Sequence, residues 1–442
     1  MVFVLFINLV VFVLTASLVL LKYRVTIYSF LWFYYAVFAT MGFIVVVTGI
    51  YDERFYNINY NNNLTLFPYL CNFFRIFLLL RPFKYISANE SFDVGLDNIN
   101  VNNIKKLVNF LCLFFSFYLL IKLGTLGEYS KYTLLERREM SIAGESVIDR
   151  DNNFILWLIL YVYELLHTAI FPFLLVLVIV YYDKDLISKK KMGYIILLYF
   201  LPPFLSFLLT SNRSGLFWLL MNTTFYFFLF FHNMSKELKI TLFRVALAIM
   251  IPIAILLILI TKVRYEDSNT SAETGILSYF GESFPNLGTV IYDQVASHTY
   301  GMRLFPDYIQ LITGYSIKAD GGLSGYHEFW ENYTGVEIPF FKTLFGDLYV
   351  EFGTIGAILF VLLLSACLTI YIKKSKHMYT LFAIMSYYYA FSLNSVLDFG
   401  LVYGKMYVPR IIVIMLCFGF FWRKYIFINQ GVQIDTKEET LS

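Results

Sequence analysis

The chain of 442 residues is 59% apolar and only 15% charged, with a mean hydropathy of +0.66. Soluble domains average about 45–50% apolar and about 25% charged, so an ordinary soluble protein is excluded. The 34 Lys and Arg against 31 Asp and Glu leave +3, which gives no ground for a nucleic-acid partner; where the charges fall matters more than their sum.

A membrane span needs about 20 apolar residues to cross about 30 Å of hydrocarbon. Taken in chain order, about eleven segments qualify: 2–21, 27–50, 64–81, 104–123, 154–181, 192–211, 214–232, 240–261, 347–372, 378–397 and 407–422. The first lacks a basic n-region and a small-residue cleavage site, so it is expected to be a retained helix. Arg75 interrupts the third, and Pro202 with Pro203 should kink the sixth, a break that membrane helices tolerate where protein covers the freed backbone. Cys71, Cys112, Cys367 and Cys417 all lie in apolar stretches without metal-ligand spacing and read as buried packing residues.

Basic connections stay cytoplasmic. One alternating set carries Lys22 and Arg24; Arg81, Lys84, Lys105 and Lys106; Lys184 and Lys189 to Lys191; Lys236 and Lys239; Lys373, Lys374 and Lys376; and Arg423 with Lys424. That set reads as the inside, with the amino terminus out and the carboxyl terminus in. The opposite set includes the two longest loops, 124–153 and 262–346. The second is rich in acids (Glu266, Asp267, Glu273, Glu282, Asp293, Asp307, Asp320, Glu328, Glu331, Glu337) over bases (Arg264, Arg303, Lys318, Lys342). At roughly 84 residues, with aromatics such as Tyr326, Phe329, Trp330 and Tyr333, it reads as a folded outer subdomain. No internal repeat is visible, which argues against transporters built from related halves.

Chemistry-bearing residues concentrate on the outer side. Arg213 sits in the polar hairpin Thr210-Ser211-Asn212-Arg213-Ser214-Gly215, where a guanidinium suits bidentate recognition of phosphate or carboxylate, or else snorkels to headgroups. Arg264 ends the eighth span and serves as an anchor or a second such cation. Arg137 and Arg138 stand among Glu128, Glu136, Glu139 and Glu145, where a solvated charged helix is the plainer reading. His298 and Arg303 join a titratable group to a fixed cation, the pairing that acid/base work beside an anion uses. Tyr326 and Trp330 offer faces for sugar rings, although packing is the commoner fate of a tryptophan. Glu164 and His167, at i and i+3, read as a mutual hydrogen bond more than half a metal site. Arg410 opens the eleventh span opposite Asp398, as an ion pair or a cavity residue. No nucleotide or metal motif occurs.

The Ser211-Asn212-Arg213-Ser214-Gly215 hairpin, the large late loop, and the stretch Leu344-Phe345-Gly346-Asp347-Leu348-Tyr349-Val350-Glu351-Phe352-Gly353-Thr354-Ile355-Gly356 together resemble the Wzy-type polymerases of O-antigen and capsular repeat units. The resemblance implies an all-α polytopic membrane protein of the C-type glycosyltransferase (GT-C) class with about 11 transmembrane helices. In this reading 1–261 is an amino-terminal bundle, 262–346 the outer loop subdomain, and 347–442 the closing helices with a short tail. The activity implied is inverting, metal-independent joining of undecaprenyl-diphosphate-linked oligosaccharides on the outer face of the bacterial cytoplasmic membrane. No cofactor is implied; membrane lipids are partners, and a chain-length regulator is a further partner the resemblance allows. Family arginines map onto Arg213, and onto Arg264 and Arg137 or Arg138. His298 is placed only by its position in the large loop, and an acid such as Glu282, Asp307 or Glu351 competes with it as base. Arg137, Arg138, Arg303, Tyr326, Trp330 and Arg410 fall to substrate binding. A lipid-linked oligosaccharide flippase and an O-antigen ligase are the alternatives.

Overall fold

A computed structural model describes residues 1–51, 64–88, 101–124, 131–132, 136, 154–210, 214–245, 255, 272–292, 294–304, 306, 313, 322–336, 343–374, 383–385, 387–388, 412–414 and 416. Among them there is no β-strand, and the protein is a helical membrane protein. Helices α1 (Val2–Tyr23), α2 (Ile27–Val47), α3 (Phe67–Ala88) and α4 (Val101–Gly124) come first. They are followed by α5 (Phe154–Ala169), α6 (Phe171–Asp183), α7 (Lys189–Thr210) and α8 (Ser214–Leu229). The late loop contributes α9 (Ala272–Gly281), α10 (Ser283–Asn286), a π turn over Leu287–Ile291 and α11 (Gly322–Thr334); α12 spans Thr343–Lys374. Among the described residues, four helices (α1, α2, α4 and α12) are long and apolar enough to cross a membrane singly, and α5 with α6 makes a fifth as a pair bent by 52°. The bend falls beside Pro172, which has no N–H for the preceding turn. The tenth and eleventh expected spans lie largely outside the described residues.

The α1–α2 hairpin turns on Arg24, at φ 52°, and a capping box in which the Thr26 N–H donates to the Ser29 hydroxyl at 2.9 Å. Tyr28 N–H donates to the Ser87 hydroxyl at 3.3 Å, and the Lys373 ammonium lies 4.4 Å over the Tyr85 ring. The start of α2 and the ends of α3 and α12 therefore share one end of the bundle, and Lys22, Arg24, Lys84 and Lys373 collect there. Arg75 lies twelve residues before Ser87 on α3, about 18 Å away toward the opposite end.

Two freed backbone carbonyls show how the bundle tolerates its prolines. Pro82 leaves the Leu78 carbonyl without its helical donor, and Ser365 on α12 donates to it at 2.5 Å. Tyr387 adds a bond to the neighbouring Leu79 carbonyl at 2.8 Å. Pro203 does the same to the Tyr199 carbonyl, and His167 Nε2 takes it at 3.0 Å. The His167 ring is buried, with Tyr163 and Tyr199 at ring-centroid distances of 5.1 Å, whereas Glu164 sits on an exposed face. The mutual Glu164–His167 bond expected from their spacing is replaced by this backbone contact, because an orphaned carbonyl in an apolar bundle is the more demanding partner.

The expected outer loop is partly woven into the bundle. Helix α9 crosses α2 closely: a Cβ on Gly281 would lie 2.7 Å from the Met41 carbonyl oxygen and would meet the Val45 side chain. Phe284 of α10 then reaches Phe12 on α1, edge to face at 5.6 Å, and Phe12 meets Phe73 on α3 at 5.4 Å. Tyr51 pins the following turn, donating to Asn286 Oδ1 at 2.7 Å and pairing with the Thr289 hydroxyl at 2.5 Å. Of the cysteines, Cys71 is buried as expected, but Cys112 is half-buried and Cys367 is exposed on α12. A thiol behaves as a small hydrophobe, so an outward place on an apolar helix costs it little.

Replacing Ser365 by Ala leaves the Leu78 carbonyl unpaired and is expected to destabilise the bundle by about 1–2 kcal/mol. Restoring a backbone N–H with Pro82→Ala should make the same Ser365→Ala change nearly silent. Unfolding of both variants and their double in detergent micelles measures this coupling; equal costs in the two backgrounds would disprove it.

Candidate functional site

The end of the bundle opposite the basic connections holds a buried charged cluster. It starts with α12, whose sequence places Asp347 and Glu351 four apart and hence on one helix face. Two carboxylates so placed repel unless a cation lies between them. Arg303 is that cation: its Nε donates to Glu351 Oε1 at 2.9 Å and its Nη2 to Asp347 Oδ1 at 2.9 Å. All three side chains are at most 1% exposed. One guanidinium and two carboxylates leave the trio formally at −1.

Helix α12 breaks just beyond Glu351. Gly353 adopts φ 68°, ψ −174°, a conformation open almost only to glycine. The break deprives the preceding carbonyls of their helical donors, and the stretch 294–304 supplies replacements. Thr299 N–H donates to the Val350 carbonyl at 3.1 Å and Tyr300 N–H to the Glu351 carbonyl at 2.9 Å. Gly301 N–H donates to Glu351 Oε2 at 2.8 Å. Tyr300, at φ 49°, and Gly301, at φ 91°, form the tight turn that brings these donors round. From the other side, Ala296 N–H donates to the Thr334 carbonyl at the end of α11, at 2.8 Å.

His298 is held between these two anchors. It is half-buried, and its Nδ1 lies 3.3 Å from the Val350 carbonyl oxygen. A carbonyl only accepts, so Nδ1 carries the proton and Nε2 is the acceptor of the neutral ring. That nitrogen faces Gly353, where a Cβ would come within 3.2 Å of it. The Tyr349 ring stands edge-on at 5.5 Å and fixes the ring plane. The arrangement is that of an oriented imidazole with a basic nitrogen, which is what a general base needs.

A second arginine closes the cluster. Arg75 is fully buried on α3, its guanidinium 5.2 Å from the centre of the Phe345 ring and its Nη2 donating to Asn72 Oδ1 at 2.5 Å. Asp347, Tyr35 and Cys71 are near enough to act on its charge.

No protein-family model matches the chain, and no curated protein or solved structure is significantly similar to it. The site therefore stands on its own geometry.

Of the residues singled out from sequence, His298 and Arg303 are brought together, through Val350 and Glu351. Arg303 is committed to two carboxylates, and Glu351 to Arg303 and Gly301, so both hold the loop on α12. Trp330 packs: it is 1% exposed, edge-on to Phe329 and Tyr333, and its carbonyl accepts from the Thr334 hydroxyl at 2.7 Å. Its contribution is to the end of α11 that carries Ala296, and it offers no exposed ring face for a sugar. Arg137, Arg138, Arg213, Arg264 and Arg410 lie outside the described residues, as do Asp307 and the side chain of Tyr326. Glu282 is buried beside α10. Among the described residues no group of three His, Cys, Asp or Glu side chains is placed to hold a metal ion. The sequence pointed to Arg75 only as an interruption of the third span and did not point to the clasp between Arg303 and its two acids. The i, i+4 spacing of Asp347 and Glu351 was the available signal for the latter, and an arginine inside an apolar span for the former.

Gly353→Ala should cost about 1–3 kcal/mol from backbone conformation alone and displace His298 as well. Gly193→Ala on α7, where nothing lies within 4 Å of the added carbon, is the neutral control. Thermal unfolding in micelles compares the two; a Gly353→Ala protein as stable as the control would refute the Gly-only conformation.

Proposed function

We propose that the chain is a repeat-unit polysaccharide polymerase: a Wzy-type, inverting, metal-independent glycosyltransferase acting on undecaprenyl-diphosphate-linked oligosaccharides at the outer face of a bacterial cytoplasmic membrane. In this reading the fold has about eleven spans of GT-C type. One observation carries it. The two most distinctive sequence features, the late loop and the Leu344-to-Gly356 stretch, meet in a single buried clasp, with Arg303 of the loop held by Asp347 and Glu351 and His298 seated over Gly353. The clasp lies at the bundle end opposite the basic connections, the end that the positive-inside rule assigns to the outside.

The chemistry follows from the substrate class. A lipid diphosphate is already a good leaving group, so the protein supplies cationic donors to hold it and a base for the acceptor hydroxyl. Nε2 of His298 takes that proton as the hydroxyl oxygen attacks the anomeric carbon and the bond to the diphosphate breaks. Arg303, neutralised by two acids, orders the loop. The diphosphate falls to outer arginines, Arg213 and Arg264 by the resemblance.

Reconstitution of the purified protein with a defined lipid-linked repeat unit tests the proposal. A ladder of product lengths, formed equally well in excess EDTA, is the expected result, and His298→Ala should lower its rate by about 10²–10⁴-fold. A single transferred block would mean a ligase, and unmodified substrate crossing the bilayer a flippase. Either outcome, or a ladder that His298→Ala leaves intact, would overturn the assignment it addresses.

A further inference from the structure

Buried side-chain polar atoms without a hydrogen-bond partner are scattered over several of the described elements, and on α3 three of them lie together. Arg75 Nε, Arg75 Nη1 and Asn72 Nδ2 are all buried and have no hydrogen-bond partner among the described residues. The three belong to one patch. Asn72 and Arg75 are three residues apart on one helix face, and Arg75 Nη2 donates to the other atom of the same Asn72 amide. That bond also fixes the amide's orientation, because the oxygen must face the guanidinium and the nitrogen is left pointing away. Every unused atom is a donor. The patch therefore calls for an acceptor with several lone pairs, and a guanidinium fork matches the paired oxygens of a phosphate better than any neutral group.

Charge alone does not demand a ligand, since Arg75 offsets the −1 of the Arg303, Asp347 and Glu351 trio. Hydrogen bonding does. An arginine inside an apolar span is retained only where something holds it, and its one bonded partner is a single amide oxygen, with the Phe345 face alongside. Phe345 sits in the ten residues of α12 before the Gly353 break, so the ring covering the guanidinium is carried on a segment that the break sets off from the spanning part.

We propose that Arg75 and Asn72 form a binding site for a lipid-borne phosphate oxyanion, entered when Phe345 moves off the guanidinium. The oxyanion site stands apart from the polymerase reading; only its occupation by a prenyl diphosphate rests on that reading. A phospholipid headgroup presents the same chemistry.

Full-length protein in maltoside micelles, which contain no phosphate, is titrated by native mass spectrometry with three probes: undecaprenyl diphosphate, phosphatidylglycerol and undecaprenol. The wild-type protein should bind at least one phosphate lipid saturably, and Arg75→Met should weaken that binding at least tenfold while leaving undecaprenol unchanged. Preference for the diphosphate identifies a substrate site, and preference for phosphatidylglycerol a headgroup site. Should Arg75→Met not be recovered folded, Arg75→Lys, which keeps the charge but loses the fork, should weaken phosphate-lipid binding severalfold. Phosphate-lipid binding that is absent in the wild type, equal to that of undecaprenol, or untouched by the folded substitution overturns the proposal. A protein that binds phosphate lipid through Arg75 yet builds no ladder keeps this site and loses the polymerase assignment.

Discussion

The break in α12 at Gly353 is the constraint on which the outer end of this protein depends. A helix interrupted in an apolar bundle exposes carbonyl groups that have no water to turn to. Here the stretch 294–304 takes them, with two backbone N–H groups and the His298 ring on the Val350 and Glu351 carbonyls. Those bonds set the loop against α12 with a fixed register, and the register puts Arg303 between Asp347 and Glu351. Removing the break would restore the helical bonds and leave the loop with no docking edge. The buried ion pairs then follow from the backbone and do not cause it, which suits the small net stability that buried pairs contribute once their desolvation is counted.

The same rule, that a freed carbonyl recruits a side chain, sorts the other polar residues of the bundle. Ser365 answers Pro82 and His167 answers Pro203, each from a different helix. His167 had the look of chemistry, a histidine three residues from a glutamate inside a span, but its protonated nitrogen is fully used by the Tyr199 carbonyl. His298 differs in one respect that matters. Its backbone bond is made by Nδ1, so the orienting contact leaves Nε2 as the acceptor. Two histidines with similar backbone partners are thereby given opposite capacities by which nitrogen faces the carbonyl.

Much of the architecture was legible because hydrophobic length is a strong signal. The first, second and fourth expected spans correspond to α1, α2 and α4 with ends shifted by a few residues. The fifth is broken into α5 and α6 by a bend that was not expected, and the third is helix α3, which runs on past Arg81 to Ala88 and is not among the helices apolar enough to cross a membrane singly. The extension had no apolar signal to announce it, since Arg81, Lys84 and Tyr85 sit where the helix leaves the core for the basic end. The weaving of 272–291 into the bundle was not legible either. A segment of mixed composition such as Gly281-Glu282-Ser283-Phe284-Pro285-Asn286 reads as a loop, and only the close approach allowed by Gly42 and Gly281 lets it pack against α2. For the site, residue type pointed to His298 and Arg303 but could not supply their partners. Asp347 and Glu351 are distant in sequence, and the pairing depends on a turn at Tyr300 and Gly301 whose φ values no local pattern announces.

The two buried arginines carry the final distinction. Arg303 makes hydrogen bonds through Nε and Nη2 to carboxylates, and a guanidinium so engaged is a structural cation whose field is cancelled within a few ångströms. Arg75 lies in the same cluster, close enough to Asp347 to feel its charge, yet Nε and Nη1 have no acceptor among the described residues. Burial is nearly identical for the two, so accessibility does not separate them; bonding does. A site assembled only for stability would gain by replacing an arginine whose donors are idle with an apolar side chain of similar volume. The presence of that guanidinium beside one bonded to two carboxylates therefore marks Arg75 as the place where the cluster's hydrogen bonding is incomplete among the described residues.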